Sequence, residues 1–165
     1  MKSNQDYKEF LNTKQKRVHD AGFDIDAAQL NSFLFDFQRH IVTKALKMGR
    51  YAIFADCGLG KTLMQLEWAN QVNKYTGRPV LILTTLAVSG QTIKEGAKFG
   101  INATRYTGQA ESGVYVTNYE QLEKIDCDVF SGVVLDESSI IKNFEGKTKQ
   151  DVIKNFENHQ FKLRS

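Results

Sequence analysis

The sequence predicts an α/β domain, doubly wound on a mostly parallel sheet flanked by helices, and three observations carry that expectation. Short apolar runs without a polar face, Pro79-Val-Leu-Ile-Leu-Thr84 and Gly132-Val-Val-Leu-Asp136, have the pattern of parallel strands covered on both sides. Stretches with apolar residues at helical spacing lie between such runs, and strand-helix alternation is what parallel sheets with crossover helices require. At 165 residues with 41% hydrophobic and 25% charged content, the chain has the size and composition of one domain with one core.

In chain order, residues 3–20 carry Tyr7, Phe10, Leu11 and Val18 among polar residues, the pattern of a surface helix or two ending near Asp20-Ala-Gly22. A helical N-terminal extension over 1–31 is expected, with the domain proper over 32–165. A helix is expected from Phe37 to Gly49, where glycine ends it. Residues 51–55 read as a buried strand, Thr62 to Tyr75 as a helix stopped by Gly77, and 79–84 as a strand. A helix over Gln91–Phe99 follows, then strands near 103–107 and 113–118, a helix near 119–124 and a strand at 132–136. Residues 142–165 are expected to be a loop, a helix over 148–156 and an unfinished end. No internal repeat, low-complexity segment or Pro-rich linker interrupts the chain.

Composition narrows the function classes. No run approaches the roughly 18 apolar residues of a membrane span, and the N-terminus lacks an apolar signal region, so a cytoplasmic setting with no membrane partner is expected. The net charge of +3 neither demands nor resists a nucleic-acid partner. Cys57 and Cys127 have no metal-ligand spacing, which suggests neither a zinc site nor a disulfide framework. Cys57 reads either as an oxidation point or as a small, tolerated loop residue.

The stretch from Tyr51 to Trp68 reads as strand, glycine-bearing loop and helix. Within it, Ala55-Asp56-Cys57-Gly58-Leu59-Gly60-Lys61-Thr62 has the spacing of a Walker A phosphate loop, with Ala55 in place of the first glycine. Gly58 and Gly60 allow the backbone of residues 56–60 to turn its N–H groups inward, toward phosphate oxygens. Lys61 would reach the β/γ-phosphates as a point charge, and the Thr62 hydroxyl would ligate the Mg2+ bridging them. At the end of a second apolar run stand two carboxylates, Asp136 and Glu137. In a Walker B arrangement Asp136 holds magnesium, and Glu137 orients and deprotonates the attacking water.

Five segments in order give the chain a family resemblance. Asp136-Glu137-Ser138-Ser139 followed by Ile141-Lys142-Asn143, Leu34-Phe-Asp-Phe-Gln38-Arg39, Leu83-Thr-Thr-Leu-Ala-Val88 with Gln91, Val116-Thr-Asn-Tyr-Glu-Gln-Leu122 and the phosphate loop all stand in place. Together they resemble the first RecA-like domain of superfamily-two helicases, specifically the Swi/Snf-like DEAD/DEAH-box enzymes of phages and prophages. The resemblance implies a RecA-like P-loop NTPase fold, ATP and Mg2+ as cofactors, and Gln38 on the adenine edge. It also implies Thr85, Gln91 and Thr117 toward nucleic acid, DNA rather than RNA.

The family continues past Phe161-Lys162-Leu163 into an S-A-T motif and a second RecA-like lobe with an arginine finger, whereas this sequence ends at Arg164-Ser165. The expectation is the ATP-binding motor lobe of a helicase or translocase, near-inactive in isolation and completed by a second lobe or partner protein. The alternative is a non-catalytic nucleotide-binding module that works with a partner. The Gln38 segment and the string after Asp136 argue against a simple P-loop phosphotransferase.

Overall fold

The computed structural model describes residues 21–53, 60–136, 154, 156 and 159–165. Its centre is a six-stranded sheet in the order β1-β6-β5-β2-β4-β3, with every neighbouring pair parallel. The strands are β1 (Arg50–Ala52), β2 (Val80–Thr84), β3 (Ala103–Arg105), β4 (Val114–Asn118), β5 (Gly132–Leu135) and β6 (Phe161–Arg164). Three α-helices, α1 (Asp36–Met48), α2 (Lys61–Thr76) and α3 (Leu86–Lys98), supply the apolar layer on one face. The other face is covered by 3-10 turns at Tyr119–Lys124 and Cys127–Val129 and by Phe156. Alternation along β2 divides the two cores: Val80 and Ile82 point to the helices, Leu81 and Leu83 to the turns.

Helix α2 is the keystone of the helical layer. Every residue from Leu63 to Ala69 is buried, because the sheet, α1 and α3 all pack on it. Trp68 has no exposed surface, and its indole N–H has no hydrogen-bond partner among the described residues. The neighbouring Glu67 carboxylate, also buried, accepts from the Gln71 amide one turn on at 2.6 Å. Burial raises the Glu67 pKa above the ordinary carboxylate range, against the lowering effects of Gln71, Lys74 and Asn31. Gly77 ends the helix in the left-handed region, its N–H bonded to the Asn73 carbonyl.

Two elements differ from the sequence expectation. Helix α3 begins at Leu86, not Gln91, because the Thr85 side chain accepts from the Val88 N–H and caps an otherwise weak helical start of Val, Ser and Gly. Residues 161–164, expected only as an unfinished end, form β6 between β1 and β5. Phe161 and Leu163 enter the helix-side core and Lys162 is buried opposite, so a charge that reads as solvated lies inside the sheet. Residues 1–20 and nearly all of the helix expected over 148–156 lie outside the described residues.

The expected boundary at residue 31 falls within a segment that packs on the domain. Leu30 joins the core, and the Gly22 and Phe23 N–H groups donate to the Lys47 and Leu46 carbonyls. The Phe23 ring stacks on Tyr75 with centroids 4.0 Å apart. No helix among the described residues is long and apolar enough to cross a membrane.

Candidate functional site

Parallel α/β sheets carry their ligands beyond the C-terminal ends of the strands, and two of the sequence-predicted residues, Lys61 and Asp136, meet there. Gly60 is the N-cap of α2 with φ +73°, a conformation that disfavours any side chain. A Cβ on Gly60 would also meet the Gln38 side-chain nitrogen, which would have to shift to make room. Glycine offers no side-chain acceptor to the first-turn N–H groups, and that turn holds no acidic residue. Instead it begins with a cation, Lys61, where the helix dipole opposes positive charge. The ammonium lies 3.2 Å from the Asp136 carboxylate, just past the end of β5. A lysine held beside a carboxylate at a helix N-terminus, with the Thr62 hydroxyl next in sequence, is a donor set suited to a phosphate chain and a hard cation.

Backbone contacts hold Asp136 in place. Its N–H donates to the Leu83 carbonyl at 3.1 Å, and its own carbonyl accepts from the Tyr119 hydroxyl at 2.9 Å. Asp56, Cys57, Gly58, Leu59 and Glu137 lie outside the described residues.

Gln38 occupies the third position of α1 and is buried. Its side-chain oxygen accepts from the Phe35 N–H at 2.8 Å, which caps the helix start and turns the amide nitrogen toward Gly60. Gln38 and Gly60 form one end of a cleft of about 640 Å3, walled by Phe33, Phe35 and Phe37 on one side and by α3 on the other. These three rings are exposed. The sequence reading missed them as site residues; the usable signal was an alternation of aromatics in a stretch too short of helical pattern to need them in a core. Gln91, expected toward nucleic acid, lines this cleft with Gln38, because α3 begins early and carries it down the helix face.

Thr85 and Thr117 sit beyond β2 and at the end of β4, near a second cleft of about 330 Å3. Thr117, Asn118, Arg105, Gln121 and Lys124 line it, which adds two cations and two amides to the threonine in a wall of hydrogen-bonding groups. A third cleft, of about 440 Å3 beside Arg78 and His159, lies at the opposite, N-terminal end of the strands. Among the described residues no group of three His, Cys, Asp or Glu side chains is placed to hold a metal by itself.

No protein-family model and no curated protein matches the sequence. Solved structures do. The UvsW helicase from bacteriophage T4 superposes with a TM-score of 0.66 at 16% identity, over 98% of this chain and 68% of that one. The Sulfolobus solfataricus SWI2/SNF2 ATPase core domain gives 0.66 at 19% identity, over 85% of this chain and 32% of that one. The same core in complex with dsDNA gives 0.64 at 19% identity, over 85% of this chain and 33% of that one. This chain therefore spans about a third of the SWI2/SNF2 core's length. At such identities the likeness shows the fold: a RecA-like α/β domain of the kind found in these helicase and SWI2/SNF2 ATPase structures.

Proposed function

We propose that this chain is the ATP-binding lobe of a motor that acts on nucleic acid, DNA foremost, with Mg2+ as the nucleotide's metal. The observation that carries the reading is the Lys61–Asp136 pair between the start of α2 and the end of β5, with Gln38 set against Gly60 beside it.

In this reading Lys61 and the helix N-terminus take the β/γ-phosphates, with residues 56–59 completing the loop, and Thr62 and Asp136 hold Mg2+. Glu137 orients the attacking water. The base enters the aromatic cleft, where Phe33, Phe35 and Phe37 offer rings and the Gln38 amide meets the adenine edge. Thr85, Thr117, Arg105 and Lys124 face a nucleic-acid backbone, and Gln91 serves the base cleft rather than the strand. Transition-state charge stabilisation falls to a second lobe or partner, since arginine fingers are worth about 10³ to 10⁵ in rate.

Competition between Mg·ATP and Mg·GTP for a fluorescent ATP analogue tests the assignment. An amide reading a base edge discriminates by about 1–3 kcal/mol, so ATP is expected to bind about tenfold tighter than GTP. Gln38→Glu keeps an acceptor for the Phe35 N–H but has no amide donor, so the fold should survive while the preference is lost. Equal affinity of the wild-type chain for ATP and GTP contradicts the placement of the base.

A further inference from the structure

We propose that Tyr119 is a positioning residue that couples a nucleic-acid strand at the end of β4 to the metal-side carboxylate Asp136. The inference rests on the nucleotide reading above and deepens it. Tyr119 is the first residue beyond β4, directly after Thr117 and Asn118 of the second cleft. Asn118 accepts from the Gln121 N–H at 3.2 Å and so fixes the turn that carries Tyr119. The ring is buried among Leu81, Leu83, Val133 and Leu135, and its hydroxyl donates to the Asp136 carbonyl at 2.9 Å.

The packing alone does not call for a tyrosine, because phenylalanine would fill the same space without burying a hydroxyl. What the hydroxyl adds is a link between two segments 17 positions apart. The peptide unit it holds is planar and rigid, and it joins Asp136 to Glu137. On the other side the Asp136 N–H is held by Leu83, whose strand also pairs with Thr117 in register. Asp136 is thus held through both backbone groups, by Leu83 of β2 and by Tyr119 just beyond β4, whose end lines the second cleft, while its carboxylate meets Lys61. A strand bound across Thr117 and Asn118 that steadies the turn would, through one hydroxyl, steady the carboxylate that holds Mg2+. Energetic coupling of this kind is reciprocal: nucleotide with metal must tighten the strand by the same factor.

The test is the variant Tyr119→Phe in the full chain, titrated with a fluorescent ATP analogue in Mg2+ or in EDTA, with and without an oligothymidylate strand. In the wild type, strand and Mg·nucleotide are expected to tighten each other. The variant should bind metal-free nucleotide within about twofold of wild type, while the Mg2+ needed for half-saturation rises about three- to tenfold, the effect of one buried hydrogen bond. Its strand coupling should fall toward one. Unchanged Mg2+ requirement and coupling in the variant overturn the proposal, as does a uniform loss of all binding with a lowered melting temperature, which marks a purely structural hydroxyl. A wild-type chain that binds nucleotide but shows no coupling overturns the link while sparing the nucleotide reading. A wild-type chain that binds no Mg·nucleotide overturns both.

Discussion

Lys61→Ala is expected to weaken Mg·ATP binding by roughly 10- to 100-fold, since a hydrogen bond to a charged group contributes about 1.5–3 kcal/mol. Lys61 opens α2 without a neighbouring acid in the turn and finds Asp136 across 3.2 Å. A cation there is opposed by the helix dipole and favoured by an anion, so alanine should leave the fold intact or slightly steadier while removing phosphate affinity. Isothermal titration with Mg·ATP checks the affinity and thermal melting checks the fold. A variant that binds as tightly as wild type would remove Lys61 from the phosphate site.

Trp68→Ala is expected to destabilise the chain by about 3–5 kcal/mol, lowering the melting midpoint by roughly 10 °C or more in a domain of this size. The indole is fully buried in the helix that the sheet and two other helices share, where close packing lets the surroundings relax only partly into the cavity. Trp68→Phe should cost much less. It retains most of the ring volume and removes a buried N–H that has no partner among the described residues. Circular dichroism at increasing temperature separates the two, and equal losses for Ala and Phe would show that the N–H, rather than the volume, holds the core.

The sheet was legible where strands are apolar on both faces. Val80–Thr84 and Gly132–Leu135 read directly because nothing in them wants water. β6 did not, since Lys162 lies between Phe161 and Leu163 and only the tertiary fold buries it. The early start of α3 was hidden for a related reason: helix propensity over residues 88–90 is poor, and the Thr85 cap that offsets it is a single side-chain contact. At the site, Gly60, Lys61, Thr62 and Asp136 announce themselves because residue type, spacing and chemistry agree. The aromatic cleft and the Tyr119 hydroxyl do not, because their meaning lies in which distant residue they meet. Gln38 stands between these cases: its type suggested a base contact, and its position adds a helix cap and the contact with Gly60.

Hydrogen–deuterium exchange with and without Mg·ATP tests the central claim most directly, because it reports where the nucleotide sits without relying on a variant. The account predicts protection at residues 33–38, 60–64 and 134–136, the walls of the Gln38–Gly60 cleft and the Lys61–Asp136 pair. Protection confined to residues around Arg78 and His159 at the opposite end of the strands, or no protection anywhere at saturating Mg·ATP, would contradict it.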